Sequence, residues 1–100
     1  MDLDQVRDHL AGLEGVREQR RDGRPGWYVG GRMVARVEDD ETLVVRSGFD
    51  ERERLVDDHP STFSVTPPLE AHMKVLADLR RGDDAAIRAA LTAAWERQAG

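Results

Sequence analysis

Few side chains in this 100-residue sequence have the types and spacing that catalysis or metal binding requires. The histidines His9, His59 and His72 are scattered, and none lies at the spacing that pairs two metal ligands on a helix. The chain has no cysteine, which excludes thiolate metal sites and disulfides. The acidic run Glu38–Glu41 lacks the glycine-centred spacing of a calcium loop, so it predicts a solvated turn.

Nucleophilic and phosphate-loop motifs are missing as well. Ser47, Ser61 and Ser64 have no sequence context that would activate a hydroxyl group. Gly30-Gly31 is not followed by a Lys-Ser or Lys-Thr pair and a helix, as a phosphate loop would be, and predicts a turn or a bulge. We therefore predict that the protein is not an enzyme and uses no cofactor and no metal ion.

The distribution of charge indicates a different chemistry, the binding of anions. The chain carries 15 Lys and Arg residues against 20 Asp and Glu residues, a net charge of −5. Residues 16–37, however, hold six arginines and only two acids. Because charges are screened over about 8 Å at physiological salt, a local basic surface can act on a protein that is acidic overall.

Hydrophobic periodicity predicts the elements that carry these arginines. An apolar stripe at Leu3, Val6, Leu10 and Leu13 predicts an N-terminal helix. The elements predicted next are an edge strand at Val16–Arg21, a turn over 22–26, a strand from Trp27, a strand containing Met33, Ala35 and Val37, and a strand at Thr42–Arg46. They are followed by a short helix at Asp50–His59, a strand around Phe63 and Val65, a strand at Met73–Leu79, and a helix at Ala85–Gln98 capped by Asp83 or Asp84.

The predicted order is a helix, three strands, a short helix, two or more strands and a helix. Strands joined by such short turns must pair antiparallel, because parallel pairing needs a long crossover. The two terminal helices can bury their apolar stripes only against one face of the sheet. We therefore predict a single two-layer α+β domain over residues 1–100, with an antiparallel β-sheet, both terminal helices on one face and the other face open.

That open face is the predicted partner-binding surface. Alternation places Met33, Ala35 and Val37 towards the core and Arg32, Val34 and Arg36 on the second face. Tyr28, Arg46 and either Val44 or Leu76 are candidates for the same face. A face that mixes aliphatic, aromatic and arginine side chains suits a nucleic acid or a protein partner. The alternative is that the arginine stems only cover a half-exposed sheet.

The patterned strands also resemble a known family. The resemblance rests on Trp27–Arg36, Leu43–Arg46, Phe63–Pro67, and the Met73–Leu79 strand followed by an acidic cap and a helix ending near Ala94-Trp95. In these segments, and along nearly its whole length, the chain resembles the MmcQ/YjbR family. The resemblance implies a frataxin-type fold, with two terminal helices on an antiparallel sheet. It also implies weak DNA binding, since members are commonly described as predicted DNA-binding proteins.

Two functions are therefore expected. The first is weak, non-specific DNA binding by a non-enzymatic protein through Arg17, Arg20, Arg21, Arg24, Tyr28, Arg32, Arg36 and Arg46. The alternative is a protein-interaction or small-ligand module that uses the open sheet face. An unbroken basic stripe would favour the first, whereas an apolar concave face or arginines neutralised by acids would favour the second. The acidic start and the absence of a long apolar run predict a soluble cytoplasmic protein with no membrane partner.

Overall fold

The computed structural model describes all 100 residues, which form three helices and one sheet. The helices are α1 (Leu3–Ala11), α2 (Phe49–Asp58) and α3 (Asp84–Ala99), with a short 3₁₀ turn at Pro67–Leu69. The strands are β1 (Val16–Arg21), β2 (Arg24–Val29), β3 (Arg32–Asp39), β4 (Thr42–Arg46), β5 (Phe63–Ser64) and β6 (Lys74–Asp78). None of the three helices has the length and apolar character that a bilayer crossing requires.

The six strands form one antiparallel sheet in the order β1-β2-β3-β4-β6-β5. Four strands precede α2, as in the predicted elements, although the predicted order counted three; Gly30 and Gly31 form a turn rather than a bulge, with φ angles of 57° and 79°, and so separate β2 from β3. Asp22 and Gly23 form a similar two-residue turn, with φ angles of 53° and 76°. Positive φ at both central positions suits the right-handed twist of a hairpin, which is why glycine recurs here. The first turn is therefore shorter than predicted, and residues 24–26 belong to β2.

Both terminal helices cover the same face of the sheet, as predicted. Val6 and Leu10 of α1 and Ile87 and Leu91 of α3 are fully buried in one hydrophobic core of 16 residues. The sheet contributes Trp27, Ala35, Val37, Leu43, Val45, Val75 and Ala77 to this core. The two-layer α+β architecture with an open second face is thus confirmed.

Side-chain caps start both terminal helices. Asp2 accepts from the Gln5 amide, and Asp83 caps α3 by accepting from the Ala86 amide at 2.8 Å. These bonds satisfy amide groups that have no partner within the helix. Helix α2 starts one residue earlier than predicted, after Gly48, and has no side-chain cap.

A β-bulge in β3 changes which side chains share a face. Trp27 pairs with Ala35, but Tyr28 pairs with Met33, so Val34 is an extra residue with no partner on β2. Val34 consequently joins the core, whereas Met33 lies opposite Tyr28 on the open face. The sequence prediction was wrong for Met33 and Val34, because a strictly alternating pattern makes no allowance for an inserted residue.

Arg52 on α2 fixes the segment that leads into β6. Its guanidinium donates to the backbone carbonyls of Leu69, Glu70, His72 and Lys74 at 2.7 to 3.3 Å. Two of these carbonyls, those of Leu69 and His72, also accept a backbone amide of the same turn-rich segment, so Arg52 adds a charged donor to the bonds that the segment forms itself. The start of β6, and with it the Lys74 backbone, is therefore held by a side chain that lies 22 residues earlier in the sequence.

Candidate functional site

The cross-strand register defines the side chains of the open face, since residues paired directly across strands point to the same side. One row contains Arg17, Tyr28 and Met33 on β1 to β3, and Arg46 and Lys74 on β4 and β6; the next contains Gln19, Gly26, Arg36, Val44 and Leu76; the last contains Arg21, Arg24, Asp39, Thr42 and Asp78, with Glu38 at a second irregularity of β3. These rows hold six cations and three carboxylates. The face is therefore strongly basic on a protein whose net charge is −5.

Six of the eight predicted site residues lie on this face, and two do not. Arg20 is next to Arg21 in β1 and therefore points to the opposite face, the helix side, where it donates to the Gly23 carbonyl. Arg32 pairs with Val29, a residue that packs against the core, so it also lies on the helix side. The prediction that Arg32 lies beside Arg36 was wrong, because the residue inserted at the bulge makes the preceding residues point to the opposite face of the sheet.

The open face exposes charge and little apolar surface. Val44 is completely buried although no helix lies over it, and its neighbours in the row are Arg36 and Leu76. The apolar stems of long cationic side chains account for this burial. The large hydrophobic side chain that is exposed, Phe49, lies on α2. Of the three surface grooves, one reaches the edge of the open face at Asp78 and is lined mainly by polar residues, and the other two lie elsewhere, so the open face has no apolar concavity.

Tyr28 does not offer a free ring for base stacking. A Cβ at Gly26 would lie 2.9 Å from the Tyr28 hydroxyl, so the tyrosine side chain runs directly over this glycine. The Arg21 guanidinium covers the ring at 3.8 Å from its centroid, within cation–π range. Only 6% of Tyr28 is exposed as a result. The group at the surface here is the Arg21 guanidinium rather than the aromatic ring.

One end of the open face is partly neutralised. Glu38 accepts from Arg24 at 2.8 Å and from Arg36 at 3.2 Å, so one carboxylate serves two arginines. The predicted acidic turn is therefore not entirely solvated: Glu38 lies in these ion pairs, and Glu41 is 3.6 Å from Arg80. The cations of the face that lack any salt bridge are Arg17, Arg46 and Lys74 on the opposite side and Arg21, whose guanidinium covers Tyr28 instead.

The densest positive charge is a group of three side chains that we name the cation triad, Arg36, Arg46 and Lys74, of which Arg36 also pairs with Glu38. Arg46 and Lys74 are directly opposite on β4 and β6, and Arg36 lies opposite Val44 in the adjoining row. Burial, followed by the charges of Arg46 and Arg36, lowers the pKa of Lys74 below its ordinary value. Like charges are thus held close together on a partly desolvated surface, which disfavours the protonated form of Lys74.

Arg46 contains the one buried side-chain nitrogen or oxygen without a hydrogen-bond partner, its Nε. Its terminal nitrogens remain at the surface and form no ion pair. A buried donor without an acceptor is rare in native structures and requires an explanation. An anion on the triad would supply acceptors and opposite charge together, and a guanidinium fork matches phosphate oxygens.

Lys74 is the site residue that the sequence prediction missed. In the strand predicted at Met73–Leu79, the apolar residues Val75 and Ala77 alternate with other residues, and both are buried in the core. The same alternation puts Lys74 on the opposite side, so this signal was available. Its proximity to Arg46 was not, because β4 and β6 pair across 28 residues of chain.

The other candidate residues have structural contacts. His9 Nε2 lies 3.0 Å from Thr92 Oγ1 and joins α1 to α3, while His59 packs edge-on against Phe63. The Ser47 hydroxyl donates to a Glu51 oxygen. The structure brings together no group of three or more His, Cys, Asp or Glu side chains that could hold a metal ion.

No protein-family model, curated protein or solved structure matches this chain. Membership of the MmcQ/YjbR family stays a prediction, and the functional argument rests on the geometry of the open face.

Proposed function

We propose that this protein is a non-enzymatic nucleic-acid-binding protein that holds the phosphate backbone of DNA on its open sheet face. The observation that carries the proposal is the set of cations without a salt bridge, Arg17, Arg46 and Lys74, on a face with six cations and three acids. Phosphate contacts by Lys and Arg supply most of non-specific DNA affinity. A flat, charged surface without a pocket suits a polymer of phosphates better than a small apolar ligand.

The proposed contact surface differs from the basic hairpin expected from the sequence. It runs across the sheet from Arg17 on β1 to Lys74 on β6, and it does not include Arg20 or Arg32. The acids outside this face repel a polyanion. Electrostatic repulsion therefore favours the orientation in which the open face meets the DNA.

The expected affinity is low and depends on salt. The face supports about three to five phosphate contacts, so the slope of log affinity against log salt is expected at about −3 to −4.5. With so few contacts on an acidic protein, binding is expected in the micromolar range or weaker. Sequence preference is expected to be small, because no element of the sheet face projects into a groove to reach base edges.

The test is fluorescence anisotropy with a labelled duplex and a labelled single strand, at low and at physiological salt. The double variant Arg46→Glu/Lys74→Glu is expected to lose binding. The matched control is Arg20→Glu/Arg32→Glu, which changes the net charge by the same amount but lies on the helix side. Circular dichroism confirms that both variants are folded. The proposal fails if the wild type does not bind at low salt, or if both variants bind equally.

One observation favours the alternative of a protein-interaction surface. Glu38 neutralises Arg24 and Arg36 at one end of the open face, which lowers the charge available to DNA there. A partner with its own alternating charges would suit that end better than a polyanion. A pull-down in which the Arg46→Glu/Lys74→Glu variant still retains a protein partner, but no nucleic acid, would support this function.

A further inference from the structure

We infer that the cation triad is a binding site for a phosphate monoester, so that the preferred nucleic acid is one that ends in a phosphate group. This inference rests on the proposed function and specifies the ligand of the same surface. Arg46 and Lys74 are directly opposite each other, and Arg36, whose guanidinium pairs with Glu38, is close enough for its charge to lower the pKa of Lys74. Arg17 stands apart from them on β1. The face therefore has one concentrated group of cations and a distant single contact at Arg17.

The spacing of the triad matches a single phosphate group rather than successive phosphates. Arg46 and Lys74 are paired on neighbouring strands, which lie about 4.8 Å apart. Arg36 is one strand away from Arg46 in the other direction and two residues along, a distance of about 7 Å along the strand. Side chains as long as Arg and Lys readily span these distances to reach a common point.

The charge of the triad distinguishes a monoester from a diester. A phosphodiester within a chain carries one negative charge, whereas a terminal phosphate carries about −1.5 to −2 at neutral pH. Three neighbouring cations attract the more highly charged group more strongly, because Coulomb energy scales with the product of the charges. No carboxylate forms a salt bridge with Arg46 or Lys74, so this attraction is not offset at those two positions.

The surroundings of the Arg46 guanidinium favour the binding of an external anion. Its Nε is covered and unpartnered, so the group has lost water without gaining an acceptor. The burial and like-charge neighbours that lower the pKa of Lys74 act in the same direction. A dianion would lessen the repulsion among all three cations and supply acceptors to the two terminal nitrogens of Arg46.

The remainder of the row indicates where the nucleic acid continues. From the triad, the row passes Met33 and the covered Tyr28 to reach Arg17 on β1. Arg17 is three strands from Arg46, about 14 Å away. A terminal phosphate on the triad would leave Arg17 to contact a phosphodiester further along the same strand.

The test compares single strands of about a dozen nucleotides that carry a 5′-phosphate, a 3′-phosphate or only hydroxyl ends, each with an internal label. We expect the wild type to bind at least one phosphorylated strand roughly five- to tenfold more tightly, the effect of one extra charge on one adjacent cation in water. Arg46→Met and Lys74→Met are expected to remove this preference. Arg17→Gln is expected to weaken the binding of all three oligonucleotides alike and to keep the preference for the phosphorylated ones.

A second measurement uses inorganic phosphate and does not depend on DNA binding. The pKa of Lys74, measured by nuclear magnetic resonance, is expected to rise in phosphate relative to chloride at equal ionic strength, and not in the Arg46→Met variant. Equal affinity for all strand ends, or an unchanged Lys74 pKa, would overturn the phosphate-monoester site. If no strand binds but phosphate raises the pKa, the triad site stands and the proposed nucleic-acid function falls.

Discussion

Replacing Arg46 with methionine is expected to stabilise the fold and to weaken anion binding at the same time. Arg46 forms no salt bridge, and its buried Nε has no hydrogen-bond partner. It also lies directly opposite another cation, Lys74. Methionine keeps a long, flexible apolar side chain over the sheet, so much of the packing of the arginine stem is retained. The substitution therefore removes the cost of the unpaired donor and the repulsion by Lys74, and it breaks no hydrogen bond or salt bridge within the fold.

The expected gain follows from two contributions. An unsatisfied buried donor costs about 1–3 kcal/mol, and a like-charge pair directly opposite in a sheet costs about 0.2–1 kcal/mol. Some packing is lost with the guanidinium, so we expect the free energy of unfolding to rise by about 1 kcal/mol. For a chain of this length, that increase corresponds to a rise of about 4–8 °C in Tm.

Urea denaturation at low salt measures this gain, and the slope with denaturant is expected to stay constant. Arg32→Met is the control, because Arg32 is exposed on the helix side, and its effect is expected within about 0.5 kcal/mol. High salt is expected to reduce the gain, since screening weakens the repulsion by Lys74. A loss of 1 kcal/mol or more in the Arg46→Met variant would refute the reasoning, because it would show that the guanidinium has stabilising partners within the fold.

Three further substitutions and one titration test other parts of the structure. Burial and the charge of Arg88 lower the pKa of His9 below 6.5, so the unfolded chain binds this proton more readily than the folded one. The free energy of unfolding is therefore expected to fall as pH drops below about 6.5, and His9→Gln should show a smaller fall in denaturation curves at several pH values. Arg52→Ala is expected to lose about 2–4 kcal/mol of stability, because four carbonyl groups lose a charged donor; Arg52→Lys should recover part of it. Gly26→Ala is expected to lose about 1 kcal/mol and to expose Tyr28 to solvent in fluorescence quenching, because the new Cβ would meet the tyrosine hydroxyl at 2.9 Å. Calorimetric titration with ferrous iron, zinc or calcium is expected to show no sub-micromolar site, and a single defined site of that affinity would contradict the prediction that no metal is used.

Patterns local in sequence predicted most of the fold correctly. The stripe at Leu3, Val6 and Leu10 became α1, and the acidic cap before Ala85 began α3. Such elements follow from side-chain periodicity and capping, which depend on residues within one or two turns. The placement of both terminal helices on one face also followed, since no other apolar surface was large enough to bury them.

The sequence by itself determined that this chain forms an antiparallel sheet with helices on one face and an arginine-rich face on the other. Only the tertiary structure decided which cations belong together. The bulge at Val34 placed Arg32 on the helix side, and the pairing of β4 with β6 brought Lys74 opposite Arg46. Both outcomes depend on strand register between distant segments. Register is set by packing of the whole core rather than by any local pattern, which is why the grouping of these cations emerged only from the folded chain.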